Sequence, residues 1–197
     1  PQAVVAGAAS PLITASRVLI LFIDMANALI DNSEQFKLVK YIKELVSRPD
    51  CNHIMIATGY WDLPGTALIY DELKEFFARG GKLDLLIGQE PQLQYYQASQ
   101  EVRQFPDFYI QRDVDSLTDE YKPIGKLIID NALTEENPGG KFEIRVYGQG
   151  EHKEFLHAKC YIFLGNNHML ATGIVGSSNF TLKGLQGNAE LNYLEEN

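Results

Sequence analysis

Long hydrophobic runs are scarce in this 197-residue chain, and so are cysteine and positive charge. The longest apolar stretch, Val18 to Ile30, is interrupted by Asp24 and Asn27 and falls short of the ~20 residues that a membrane-spanning helix needs. No basic segment precedes it and no small-residue cleavage pattern follows it, so a secretory signal is not indicated. A soluble, cytoplasmic protein without membrane contact is therefore expected. Cys51 and Cys160 lie far apart in sequence, and without a secretory signal they read as buried thiols and not as a disulfide. The net charge of -9 argues against holding nucleic acid by bulk electrostatics, which depends on clustered Lys and Arg. Any phosphate site must be local, and the half from residue 98 onward, with 9 basic and 15 acidic side chains against 8 and 11 before it, is the more acidic. No GxxxxGK[ST] loop is present, which excludes ATP hydrolysis of that type. His53, His152 and His168 have no metal-ligand spacing with the cysteines, so neither a zinc site nor any other cofactor is expected.

What is present is a 45% hydrophobic chain with enough length to bury a substantial core. There is no internal repeat and no low-complexity linker. We read residues 1–197 as a single domain cut from a longer protein, with 1–15 as a flexible lead. Apolar positions from Phe36 to Ser47 approximate helical spacing and end at Arg48-Pro49-Asp50; His53 to Thr58 reads as a buried strand. Leu63 to Arg79 is again helical, Gly80-Gly81 stops it, and Leu83 to Ile87 is the next strand. That strand, helix, strand order predicts two parallel strands side by side. From Pro91 to Thr118 loops around a short helix are expected, then a helix over Asp119 to Leu133 with breaks at Pro123 and Gly125. Four strands should follow, over Phe142–Tyr147, Phe155–Leu164, Met169–Gly176 and Ala189–Leu194, with Asn166-Asn167 turning the middle pair into a hairpin.

The informative stretch runs from Phe155 to Asn192. Alternation along a strand puts His157, Lys159, Tyr161 and Phe163 on one face and Ala158, Cys160, Ile162 and Leu164 on the other. The second face is wholly apolar and is expected to be core. An imidazole and an ammonium then stand about 7 Å apart on one strand, at ~3.3 Å per residue, which suits a phosphate between them. The hairpin's second strand runs into Gly176-Ser177-Ser178-Asn179, where small residues admit a ligand and Ser177, Ser178 and Asn179 offer hydroxyl and amide donors. The same segment is also consistent with a plain turn. Glu190 is expected on the last strand, with Ala189 and Leu191 pointing oppositely, where it could be only a solvated residue. Tyr60 and Trp61 close the first long strand, where they either line the pocket or pack into the core.

HxK followed by a Gly/Ser segment ending in Asn resembles the signature of the phospholipase D superfamily. ATGYWDLPG from Ala57 to Gly65 and LLIGQEP from Leu85 to Pro91 look like the first half of the phospholipase D-like domains joined to bacterial helicases and restriction enzymes. The resemblance implies an α/β fold, a mixed and largely parallel sheet flanked by helices. It implies that His157 is the nucleophile, that Lys159 and Asn179 hold the phosphoryl oxygens, and that Glu190 orients the imidazole. One departure is visible: the fuller motif has Asp five residues after the Lys, and this chain has Leu164. Parity turns that position away from His157, so a structural contact and not a reacting group has changed.

The function so implied is metal-independent cleavage of nucleic-acid phosphodiesters, DNA foremost, through a phosphohistidine, with an ATPase or helicase region after Asn197 in the parent protein. HxK occurs once, and the mechanism needs two histidines, so a homodimer sharing one site is expected. A non-catalytic phosphate- or nucleic-acid-docking module and a phospholipid hydrolase are the alternatives; for the latter no basic amphipathic segment is evident. Asp24 ends an apolar run where nucleases place a metal-binding carboxylate, but no second acid follows at useful spacing. Asp113 and Asp115 read as a solvated loop or a helix cap.

Overall fold

The computed structural model describes residues 28–88, 119–147, 155–165 and 171–196. The expected lead, the loops and short helix over 91–118, Asp24, Asp113, Asp115, Asn166-Asn167, His152 and His168 lie outside them. Along the chain come β1 (Ala28–Ile30), α1 (Leu38–Ser47), β2 (Cys51–Thr58), α2 (Leu63–Ala67), α3 (Tyr70–Ala78), β3 (Lys82–Gly88), α4 (Lys122–Asn131), β4 (Phe142–Tyr147), β5 (Lys159–Gly165), β6 (Ala171–Gly176) and β7 (Asn192–Glu196). The strands form one mixed sheet in the order β1-β7-β6-β5-β2-β3-β4, flanked by the helices. Among the described strands β2–β3 and β3–β4 pair parallel, whereas β2–β5, β5–β6, β6–β7 and β1–β7 pair antiparallel.

Local chemistry explains most element boundaries. α1 buries Leu38, Val39, Tyr41, Ile42, Leu45 and Val46, and it stops because Pro49 pushes Arg48 out of the helical region. The single helix expected from Leu63 to Arg79 is two helices. Asp62 caps the first by accepting from the Gly65 N–H at 2.6 Å, and the chain turns at Ile69, which is buried. Gly80 ends the second with φ +93°, a left-handed conformation that costs glycine little. Pro123, expected as a break, instead occupies the first turn of α4, where its missing N–H is no loss.

One face of the sheet carries the core. Ile54 and Ile56 of β2, Leu83, Leu85 and Ile87 of β3, Tyr161 and Phe163 of β5, Ile174 of β6 and Leu194 of β7 join the buried side chains of α1, α3 and α4 in one cluster. This corrects the expectation for β5. Tyr161 and Phe163 are fully buried, on the Lys159 side, while Cys160, Ile162 and Leu164 are half-buried on the other. The helices pack on the face that carries the two aromatic rings, which join the buried side chains of α1, α3 and α4. Both cysteines are free thiols, Cys51 buried and Cys160 half-buried. Burial pushes the Cys51 thiol up to about 11, so it stays protonated and unreactive.

Candidate active site

The Lys159 side of β5 is apolar from Tyr161 onward and turns polar where the strand begins. Lys159 sits opposite Thr58 in the antiparallel ladder, half-buried at the end of the core face. Burial pulls its ammonium below the usual lysine range, and the carboxylate of Glu190 partly opposes that shift. His157 was expected within the strand. The ladder begins at Lys159, so His157 stands two residues ahead of it and is exposed. The Lys159 Nζ reaches back to the His157 carbonyl oxygen at 3.4 Å, which joins the two residues at one end of the sheet.

The segment after β6 is held by buried polar groups. Ser178 is fully buried: its N–H donates to Asn192 Oδ1 at 3.2 Å and its Oγ accepts from Asn192 Nδ2 at 2.8 Å. Its carbonyl accepts from the Tyr161 hydroxyl at 2.8 Å, a donor that burial keeps protonated. Ser178, expected against a substrate, is thus an internal strut. Ser177 is exposed and donates to Glu190 Oε2, while Asn188 Nδ2 donates to Glu190 Oε1 at 3.3 Å. Glu190 was placed on the last strand, but β7 begins only at Asn192, and Glu190 lies in the connection before it. Its carboxylate is engaged by Ser177 and Asn188, and no hydrogen bond joins it to His157 among the described residues.

Asn179 lies between these parts. Its Oδ1 accepts from the Tyr60 N–H at 3.2 Å, with the Thr58 hydroxyl 3.3 Å away. With the amide oxygen facing these donors, Nδ2 is turned from them. Tyr60 is exposed beside the site, its ring 5.2 Å from that of Phe155, which lies 6.0 Å from the His157 ring. Phe155 can lie there because Gly88 has no side chain: a Cβ would come within 2.9 Å of the ring and 2.7 Å of the Leu156 carbonyl. Trp61 takes the core alternative. It is 1% exposed, donates from Nε1 to Thr66 Oγ1 at 2.7 Å and bridges to Phe180. The structure therefore gathers His157, Lys159, Asn179, Tyr60, Ser177 and Glu190 at one end of the sheet and withdraws Trp61 and Ser178 into the interior. Thr58, Phe155, Tyr161 and Asn192 were missed. For Thr58 and Asn192 a signal existed, a polar residue in phase with buried apolar neighbours.

An exposed imidazole, a half-buried ammonium and a side-chain amide thus stand at one end of the sheet. Residues 42–197 match the family model described as "Cardiolipin synthase, PLD-like domain", and the chain belongs to this phospholipase D-like family. Members of the wider superfamily are phosphodiesterases and transferases. No curated protein matches the chain. Similar solved structures include NucT from Helicobacter pylori, 11% identical over 85% of this chain and 83% of that one with a TM-score of 0.46. Another is Nuc from Salmonella typhimurium, a phospholipase D family member, 12% identical over 86% of this chain and 81% of that one with a TM-score of 0.46. A third is phosphatidylserine synthase from Haemophilus influenzae Rd KW20, 13% identical over 85% of this chain and 33% of that one with a TM-score of 0.49. Among the described residues no helix is long and apolar enough to cross a membrane.

Proposed function

We propose that this chain cleaves nucleic-acid phosphodiesters through a phosphohistidine, as a homodimer, and serves as a module of a helicase or restriction protein. The observation that carries the reading is the convergence of His157, Lys159 and Asn179 at the end of β5 and β2. A nitrogen of neutral His157 attacks phosphorus while Lys159 and Asn179 hold the developing charge on the phosphoryl oxygens. The bond from phosphorus to the leaving oxygen breaks, and a second histidine gives that oxygen its proton. The same second histidine takes a proton from water, whose oxygen displaces His157 and restores the imidazole. HxK occurs once, so the second histidine is assigned to His157 of a second copy. Tyr60 and Phe155 supply an aromatic wall beside the reacting atoms, suited to an unstacked base.

The test is hydrolysis of bis(p-nitrophenyl) phosphate and of a single-stranded oligonucleotide by the parent and by His157→Ala. Turnover that persists in EDTA, vanishes with His157→Ala and leaves an acid-labile, alkali-stable phosphoenzyme is expected. A His157→Ala protein as active as the parent overturns the reading. Sedimentation should give a dimer, and a strict monomer with full activity removes the shared site. A second reading, reaction at a phospholipid diester, has one observation in its favour: Val175, Leu191 and Tyr193 are exposed apolar side chains flanking Ser177 and Glu190. Turnover of phosphatidylglycerol vesicles without turnover of oligonucleotides would establish it.

A further inference from the structure

We infer that Thr58 is a positioning residue that aims the amide of Asn179 and fixes it relative to Lys159, an inference that rests on the phosphodiesterase reading above. Thr58 is fully buried at the end of β2. Its hydroxyl accepts from the Phe180 N–H at 3.0 Å and donates to the Tyr60 carbonyl at 2.8 Å, with Asn179 Oδ1 at 3.3 Å. A hydroxyl has one proton, and the shorter contact to Tyr60 claims it. One side chain therefore clamps the backbone on both sides of the Asn179 amide. It holds Phe180, the next residue along the chain, and Tyr60, whose N–H holds the amide oxygen. In the ladder Thr58 is also the residue opposite Lys159. The two groups that would grip a phosphoryl oxygen are thus registered against each other through a single buried hydroxyl, although they stand 20 residues apart in the chain.

The consequence is specific. With the hydroxyl gone, the Phe180 N–H and the Tyr60 carbonyl lose a buried partner, the loop shifts to recover one, and the amide is free to turn its oxygen toward an anion. Thr58→Val keeps the shape and removes the hydroxyl, whereas Thr58→Ser keeps the hydroxyl. On bis(p-nitrophenyl) phosphate, Thr58→Val should lower kcat by roughly 10- to 100-fold, part of the 10²–10³ that losing an oxyanion donor costs, with KM changed much less. Thr58→Ser should restore kcat. In an Asn179→Ala background Thr58→Val should cost nothing further, because its effect passes through that amide. Multiplicative losses in the double variant overturn the inference, and so does a Thr58→Val kcat equal to that of Thr58→Ser. The side-chain amide signals of Asn179 in ¹⁵N–¹H spectra give a readout independent of turnover. They should move in Thr58→Val and not in Thr58→Ser, and unmoved signals in both overturn the inference. If His157→Ala proves as active as the parent, the reaction reading fails by itself, and the amide signals alone decide the role of Thr58.

Discussion

Replacing Asn192 by Ala tests whether the loop carrying Asn179 is held from beneath. Asn192 is 1% exposed and spends both ends of its amide on Ser178, accepting from the N–H at 3.2 Å and donating to Oγ at 2.8 Å. In the variant the Ser178 N–H is stranded in the interior, which costs about 1–3 kcal/mol, and the second bond forfeits roughly 1 kcal/mol more. The sum of about 2–4 kcal/mol corresponds to roughly 5–15 °C in Tm for a chain of this size. Turnover should fall as well, since Asn179 is the neighbour of the released Ser178. Asn188→Ala is the control: its amide also meets the site, at Glu190 Oε1, but it is exposed, and surface changes of that kind stay within about 0.5 kcal/mol. Thermal and urea unfolding of both variants, followed by diester hydrolysis, provides the comparison. An Asn192→Ala protein that melts within about 1 °C of Asn188→Ala would refute the reasoning, because no strut would then exist.

Two further outcomes are expected. On the proposed reaction Lys159 acts protonated, burial lowers its pKa and Glu190 raises it; Glu190→Gln should therefore move the alkaline limb of the pH–kcat profile to lower pH, and an unmoved or upward-shifted limb contradicts the coupling. Tyr60→Ala should raise KM for a single-stranded oligonucleotide by about tenfold, within the 1–3 kcal/mol of a base stacked on an aromatic ring, whereas Trp61→Phe, which loses the bond to Thr66, should lower Tm and leave KM alone; equal KM changes in both would remove the aromatic wall.

The sheet was legible because β2 from His53 to Thr58 and β3 from Leu83 to Ile87 alternate buried and half-buried residues, and the turn residues punctuate them. What misled was β5. Its Cys160, Ile162 and Leu164 read as a core face because they are uniformly apolar, but Tyr161 and Phe163 are the fully buried residues and lie on the face that meets the helices. Parity gives two faces and does not say which one meets the helices. The candidate residues His157, Lys159 and Asn179 stood out as chemistry in an apolar setting. The struts beneath them stood out less: Thr58 and Asn192 show only as uncharged polar residues in phase with buried apolar neighbours, and they act on partners 122 and 14 residues away. Trp61 was left open between pocket and core, and the Nε1 bond to Thr66, five residues on, settled its place in a way that strand position alone could not.

The pairing of β2 with β5 has a consequence for how the chain reaches its folded state. Thr58 meets Lys159 and Phe180 only after the intervening hundred residues have been looped out, and closing such long loops is what slows folding. The helices and the parallel strands β2 and β3 can form as soon as their residues leave the ribosome. The Lys159 ammonium, the Asn179 amide and the strut Asn192 are all synthesised after β2, β3 and β4. A nascent chain halted before Asn192 has the helices and β2 to β4 available to pack, but the Ser178 N–H and Oγ still lack the side-chain amide that holds them in the folded chain.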